Sequence, residues 1–296
     1  MTADASLVSE PGASAPTTAR YWRALREGAE RSLGVESLAD APERSYLWPR
    51  LIYDKTLKDS LSGRPLKSWL ELERAEFSGF PMRNSPAFVA RLADASPQGI
   101  RHVPGDDGAA ANLNAAMALL AEVWPDAAAE LDQAILGVAW TSSDDGRAES
   151  FSDPQRFGVI HVDSTTYRAA PAAKVATALV HEAAHHALFV ETSIDPLIPE
   201  DYQKPVFSPI RRETRPAIGV LHGAFAASRM GQWARRLAAR RGDGTASAEV
   251  SRLRSRYLLG LRPALDGLRE IRFSARGTRL MADMESRLPE LEALLG

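Results

Sequence analysis

Apolar residues recur at helical spacing over most of the chain and crowd together at strand-like density in two short runs. Tyr21, Trp22, Leu25, Ala29 and Leu33 predict a helix from Thr18 to about Leu33, with Thr18 as its cap. Leu47, Leu51, Ile52 and Leu57 predict a second over 46–60, residues 64–76 a third, and Ser85–Ala95 a short fourth. Aromatics at this spacing read as core rather than as a binding platform. Pro97–Gly108 has the composition of a loop. Asn112–Val123 is helical again, is interrupted at Pro125, and resumes over Asp126–Asp132. Then the period changes. Ala134–Trp140 is a compact apolar run that reads as a buried strand. Phe157–Asp163 reads as another, with Phe157, Val159, His161 and Asp163 on one face.

Pro171 suits a first helical turn, and the helix it opens runs to about Val190. Residues 192–214 form a long connection holding Pro196, Pro199, Pro205 and Pro209. A further helix runs from Pro216 to about Arg240. Its small residues Gly219, Gly223, Ala227 and Gly231 form a four-residue stripe that lets the backbone approach a neighbouring helix. From Ser247 to Leu295 the pattern is helical, through Leu253, Tyr257 and Leu261 and then Leu280, Met284, Leu288 and Leu291, with breaks expected at Pro263 and at Arg276-Gly277. The expected fold is α+β and mostly α-helical, with a small β element before the Pro171 helix and that helix packed on the small-residue helix. Along the chain this gives a flexible tail over 1–18, a helical region over 19–130, a core over 131–240 and C-terminal helices over 241–296, as parts of one compact unit.

Composition narrows the chemistry. The 296 residues are 45% hydrophobic, enough for a sizeable core, and the net charge of -2 is spread along the chain, so neither nucleic acid nor an anionic membrane is an expected partner. The absence of cysteine removes disulfides, thiolate nucleophiles and sulfur-ligated metals, leaving nitrogen and oxygen as the metal donors. The N-terminus lacks the features of a signal or transit peptide, and no apolar run approaches a membrane span, so a cytoplasmic protein is expected.

The Pro171 helix carries His181-Glu182-Ala183-Ala184-His185. At 3.6 residues per turn the two histidines lie about 40° apart on one face and about 6 Å apart along the axis, which suits two imidazoles on one divalent metal. Glu182 sits about 100° round from His181, able to act on a metal-bound water or to support a ligand. Three strongly polar groups on a helix otherwise built for burial ask for a common partner, and a metal supplies one.

The third ligand decides the chemistry. Glu191 stands where one peptidase class has a histidine, but Leu188 replaces the glycine that would turn the chain, so Glu191 is carried about 9 Å farther along the axis. Glu200 and Glu213 lie in the proline-rich connection. His222 is the better candidate, because it sits beside Gly223 on a predicted helix. Arg215 precedes it by seven residues, on the same face about 10.5 Å away, which is one small dicarboxylate from a metal.

From Ser208 to Ala226 the sequence SPIRRETRPAIGVLHGAFA, downstream of the His-Glu-x-x-His helix, resembles the signature of the HEXXH-motif domain family, the 2-oxoglutarate-dependent peptide β-hydroxylases of the aKG-HExxH type. Ser208, Pro209, Arg211, Glu213, Arg215, Pro216, Gly219, His222 and Gly223 match its pattern. Ile210 stands where the family has tryptophan, and Gly158-Val159-Ile160 upstream is similar too. The likeness covers about residues 150–235.

The resemblance implies a non-heme Fe(II) enzyme that uses 2-oxoglutarate and O₂ to hydroxylate the β-carbon of a residue in a ribosomally made precursor peptide. His181, His185 and His222 would be the metal ligands, leaving positions for the keto acid and O₂. Arg215, or else Arg211, would hold the distal carboxylate of 2-oxoglutarate. Glu182 has no required place in that chemistry. It would be the general base in the competing reading, a zinc metallopeptidase. A third reading is a non-catalytic helical peptide-binding protein.

Overall fold

The computed structural model describes residues 15–33, 41–45, 47–53, 70, 71, 73, 100–143, 150–241 and 244–295. The chain is α+β and mostly helical, as expected. The tail over 1–14 and the expected helix Ser85–Ala95 lie outside the described residues, as does most of 64–76, of which Leu70, Glu71 and Glu73 are helical. By backbone proximity the chain groups into two compact units. One is built from Pro16–Met117 and Asp132–Val175, the other mainly from Ala118–Leu131 and Ala176–Gly296. No helix among the described residues is long and apolar enough to cross a membrane.

The first unit holds α1 (Ala15–Leu33), α2 (Leu47–Tyr53) and a four-stranded sheet of β1 (Ile100–His102), β2 (Gly137–Ser143), β3 (Ser150–Phe151) and β4 (Val159–Asp163). The strand order is β1-β2-β4-β3. β2 and β4 run parallel in the register Gly137↔Val159, and β1 and β3 are antiparallel edges. Every residue of β4 is buried, His161 and Asp163 included, as suits a strand covered on both faces. Gly158, just before β4, has φ 92°, and a Cβ there would lie 2.6 Å from the Trp22 ring, so only glycine lets α1 close on the sheet. Trp22 in turn packs edge-on against Phe157, with ring centroids 4.9 Å apart, and donates its indole N–H to the Gln133 carbonyl at 3.2 Å.

Several boundaries differ from the sequence reading. α1 begins at Ala15, inside the expected tail. The expected loop Pro97–Gly108 holds β1 and the start of α3 (Asp107–Val123), where the Asp106 carboxylate accepts the Ala109 N–H at 2.7 Å as the cap. Pro125 opens α4 (Pro125–Ala134) rather than merely breaking a helix, and α4 takes Ala134, so β2 starts three residues later than expected.

After α5 (Ser164–Ala169) the helix α6 (Ala172–Ile194) leads into the second unit. There the connection expected over 192–214 contains strand β5 (Pro205–Ser208), which pairs antiparallel with β6 (Glu213–Pro216) as a hairpin. The remaining helices are α7 (Ala217–Arg241), α8 (Gly244–Leu253), α9 (Leu259–Leu268) and α10 (Ala275–Glu292), with a π-helical segment Arg254–Leu258 joining α8 to α9. Leu188, Leu221, Phe225, Leu261, Leu265, Met284 and Leu288 form its core with their buried neighbours.

Pro263 lies within α9 and does not end it. Nor does Arg276-Gly277 break the chain. It is the first turn of α10, capped by Ser274, whose hydroxyl accepts the Gly277 N–H at 3.1 Å. The glycine is required there, because a Cβ would fall on the Leu197 carbonyl.

Candidate functional site

Helix α6 is buried on nearly every side within the second unit. Between Ala178 and Thr192 the residues that keep partial exposure are Ala178, His181, His185, Phe189 and Thr192, at three- and four-residue spacing. The two motif histidines therefore occupy the single open line of an otherwise enclosed helix. On α7 the partly exposed positions Gly219, His222 and Gly223 form the corresponding line. The core shared by Ala184, Ala187 and Leu188 of α6 with Leu221, Ala224 and Phe225 of α7 holds these two lines together.

The packing brings the three predicted histidines into contact. His181 Nε2 lies 3.0 Å from His185 Nε2, and His185 Nδ1 lies 3.1 Å from His222 Nδ1. The His181–His185 separation is that of a hydrogen bond between the two rings, and it is also about the spacing of two nitrogens at roughly a right angle on one octahedral ion. His185 turns its opposite edge to His222, so the rings form a row. Among the described residues no three His, Asp or Glu side chains converge on one position with metal-ligand spacing. Phe189 closes one side, with its ring centroid 5.3 Å from that of His222 and 6.5 Å from that of His185.

The donor set nevertheless suits a metal. Burial pushes the His181 imidazole down to about 4, with Arg211, Arg256, Arg252 and His222 adding to the effect. His222 is pushed down to about 4 by burial and then by the charge of Arg215. His185 lies well below its ordinary value, through burial and then the neighbouring histidines and Arg211. All three are thus neutral near pH 7 and keep a lone pair for a cation. His181 Nδ1 is buried with no hydrogen-bond partner among the described residues, a cost that a bound group or its water would relieve. The surrounding arginines oppose a bare dication and favour one that arrives with an anion.

Arg215 is positioned by the hairpin. In the register Val206↔Arg215 and Ser208↔Glu213, buried Val206 and Ser208 mark the inner face, and Arg215 shares it, while Phe207 points outward at 58% exposure. Its guanidinium lies over Gly219, whose Cβ, if present, would be 3.7 Å from Arg215 Nε, and it pairs loosely with Glu213 at 3.6 Å. Gly223, beside His222, faces open space, with nothing within 4 Å of where its Cβ would be. The small-residue stripe thus differs from its expected role. Gly219 lies against the Arg215 side chain, Gly223 faces open space, and Gly231 takes the Leu258 and Leu291 side chains.

The other candidates go elsewhere. Glu191 is buried and ion-paired with Arg276, and Glu200 pairs with Arg272 at 2.7 Å, so neither reaches the histidines. The Glu182 carboxylate is buried at 1% exposure, and its backbone carbonyl accepts the Nδ1–H of buried His186 at 3.0 Å. His161 belongs to the other unit, where it packs in the sheet against His102, with Nδ1 and Nε2 3.0 Å apart. Arg211 stands exposed at the tip of the hairpin, its charge acting on His181 and His185 rather than on His222.

The sequence reading missed the π-helical segment and what it carries. Tyr257 lies with its ring centroid 6.1 Å from that of His181, and Arg256 sits over Tyr257 at 5.3 Å. A π-turn inserts one residue per turn and has no periodicity signature over five residues, so the positions facing the site could not be read ahead. Arg252 is held by Glu249, at 2.6 and 3.1 Å. Glu249 also accepts the Thr177 hydroxyl, and Thr177 accepts the Trp233 indole N–H at 2.9 Å. This buried network ties α6, α7 and α8 together one turn from His181. No family model matches the chain, and a search of curated proteins finds no match either.

Proposed function

We propose that this protein is an Fe(II)- and 2-oxoglutarate-dependent oxygenase that hydroxylates the β-carbon of a residue in a peptide, acting in the cytoplasm. The observation that carries the reading is the juxtaposition of three neutral imidazoles with a guanidinium on the same face of α7 as His222. His181, His185 and His222 would hold the iron, and the iron with its keto acid would supply the oxidising power to functionalise an unactivated C–H bond.

The protein's own residues do the rest. Arg215 offers a planar fork to a carboxylate, and the open space at Gly223, next to His222 and one turn from Gly219 under that fork, would take a small diacid. Desolvation keeps the imidazoles unprotonated, so they do not compete with the arginine for the anion. The arginine charges that act on His181 and His222 support an anionic co-substrate. Phe189 and the α6–α7 core limit water at one side. The likeness of residues 208–226 to the peptide β-hydroxylases supports the same assignment.

The test is anaerobic Fe(II) loading of the full chain with 2-oxoglutarate, read as a weak visible absorption band, followed by succinate release in air. The band should vanish in His222→Ala and require much higher 2-oxoglutarate in Arg215→Ala. Absence of band and succinate, with tightly held zinc and peptide cleavage that Glu182→Gln abolishes, would replace this reading with the metallopeptidase.

A further inference from the structure

The hairpin tip and the π-helical segment meet beside the histidines. Ile210 packs on Gly260, where a Cβ would lie 2.9 Å from Ile210 Cγ1 and 3.4 Å from its Cα, so the bare glycine lets the turn dock directly on the start of α9. The turn is fixed by Ser208, whose carbonyl accepts the Arg212 N–H at 2.7 Å and whose hydroxyl faces the Arg211 N–H at 3.3 Å. Arg212 takes the left-handed φ of 57° that this closure demands, a strain a side chain of this kind does not adopt without cause.

The docking sets two exposed arginines next to the site. Arg211 follows Ile210 directly, and Arg256 lies one turn before Gly260 with its guanidinium over Tyr257, whose ring neighbours His181. Among the described residues neither arginine pairs with a carboxylate, whereas Arg252 and Arg215 do. The left-handed turn and the π-turn hold these two guanidiniums beside the Tyr257–His181 contact.

We infer that Arg211 and Arg256 form a ledge that recognises an acidic side chain of the substrate, so that the preferred peptides carry Asp or Glu within about three extended residues of the one modified. The peptide as substrate rests on the function proposed above. The ledge itself is a binding property that can be measured without it.

The experiment is fluorescence anisotropy with the full-length, metal-free protein and a fluorescein-labelled peptide of alternating Glu and Gly, against the same peptide with Gln in place of Glu. Two exposed charge contacts of about 0.5–1 kcal/mol each predict roughly five- to thirtyfold tighter binding of the Glu peptide at low salt, with most of the preference lost at high salt. Arg211→Glu and Arg256→Glu should each erase most of it, while Arg279→Glu on the exposed face of α10 leaves it intact. All three changes are at exposed positions, and matching thermal melts confirm that each variant is folded.

Equal binding of the two peptides by wild-type protein, or a preference that survives Arg256→Glu, overturns the inference. So does displacement of the probe by a single-stranded oligonucleotide at lower concentration than by unlabelled Glu peptide, which would assign the ledge to phosphates. A protein that shows the preference but yields no succinate overturns the oxygenase reading alone. One that yields succinate without the preference overturns the ledge alone.

Discussion

Gly223 offers a test in which stability and activity move in opposite directions. Glycine in a helix interior costs roughly 0.5–1 kcal/mol relative to alanine, because the unfolded chain loses more freedom on ordering. At Gly223 an added methyl meets nothing within 4 Å, so no packing penalty offsets that gain. Gly223→Ala is therefore expected to stabilise the fold by about 0.5–1 kcal/mol. The same change at Gly231, on the same helix, places a Cβ 2.9 Å from Leu291 and 3.0 Å from Leu258, both buried. Overpacking there costs about 1–3 kcal/mol, so Gly231→Ala should be destabilising by about 1–2 kcal/mol net. Urea denaturation of the pair against wild type isolates the packing term, since the propensity term is common to both.

The functional half uses the same Gly223 variant. Its methyl would stand in the open space at Gly223, next to His222 and one turn from Gly219 under Arg215, so on the proposed function the apparent KM for 2-oxoglutarate in succinate formation should rise several-fold although the fold is more stable. A destabilised Gly223→Ala would show that the space beside His222 is not open. A stabilised variant with an unchanged KM would show that the space is open but does not take the diacid.

Acid should unfold the sheet-bearing unit early. Burial, with Arg156 and Arg50, pushes His102 down to about 4, whereas in the unfolded chain it titrates near 6.5. The unfolded state then binds the extra proton between those values, so this contribution is complete above about pH 6.5 and falls by about 3 kcal/mol as pH drops through about 4. Denaturation midpoints at a series of pH values should show this slope, and His102→Gln should flatten it. Unchanged slopes would mean that His102 is solvated. In the second unit, Arg229 and Glu130 form a buried ion pair at 3.1 Å, so Glu130→Ala removes the carboxylate facing the buried guanidinium and should cost about 3–5 kcal/mol by urea denaturation. A loss below about 1 kcal/mol would mean that water reaches the arginine.

What the sequence determined by itself was whatever depends on short-range geometry. The i, i+4 spacing of His181 and His185 on an α-helix dictates their common face wherever that helix packs, and their 3.0 Å contact follows from it. The compact apolar run Ala134–Trp140 and the stretch Phe157–Asp163 announced β2 and β4, and Pro171 announced the start of α6. The seven-residue spacing of Arg215 and His222 also put them on one face, though Arg215 reaches it from the last strand of a hairpin rather than from the helix itself.

Tertiary structure decided everything set by partners distant in sequence. That His222 meets His185 depends on a core formed by two helices, and that Glu191 and Glu200 turn to Arg276 and Arg272 depends on where α10 and the chain before it lie. The hairpin Pro205–Pro216 was hidden because its prolines sit at strand ends and in the turn, positions where a missing N–H is tolerated. The placement of Arg211 and Arg256 was hidden most completely. It depends on the missing side chain of Gly260, which decides how closely the turn can approach, and on a single π-turn, which shifts the register of every residue after it.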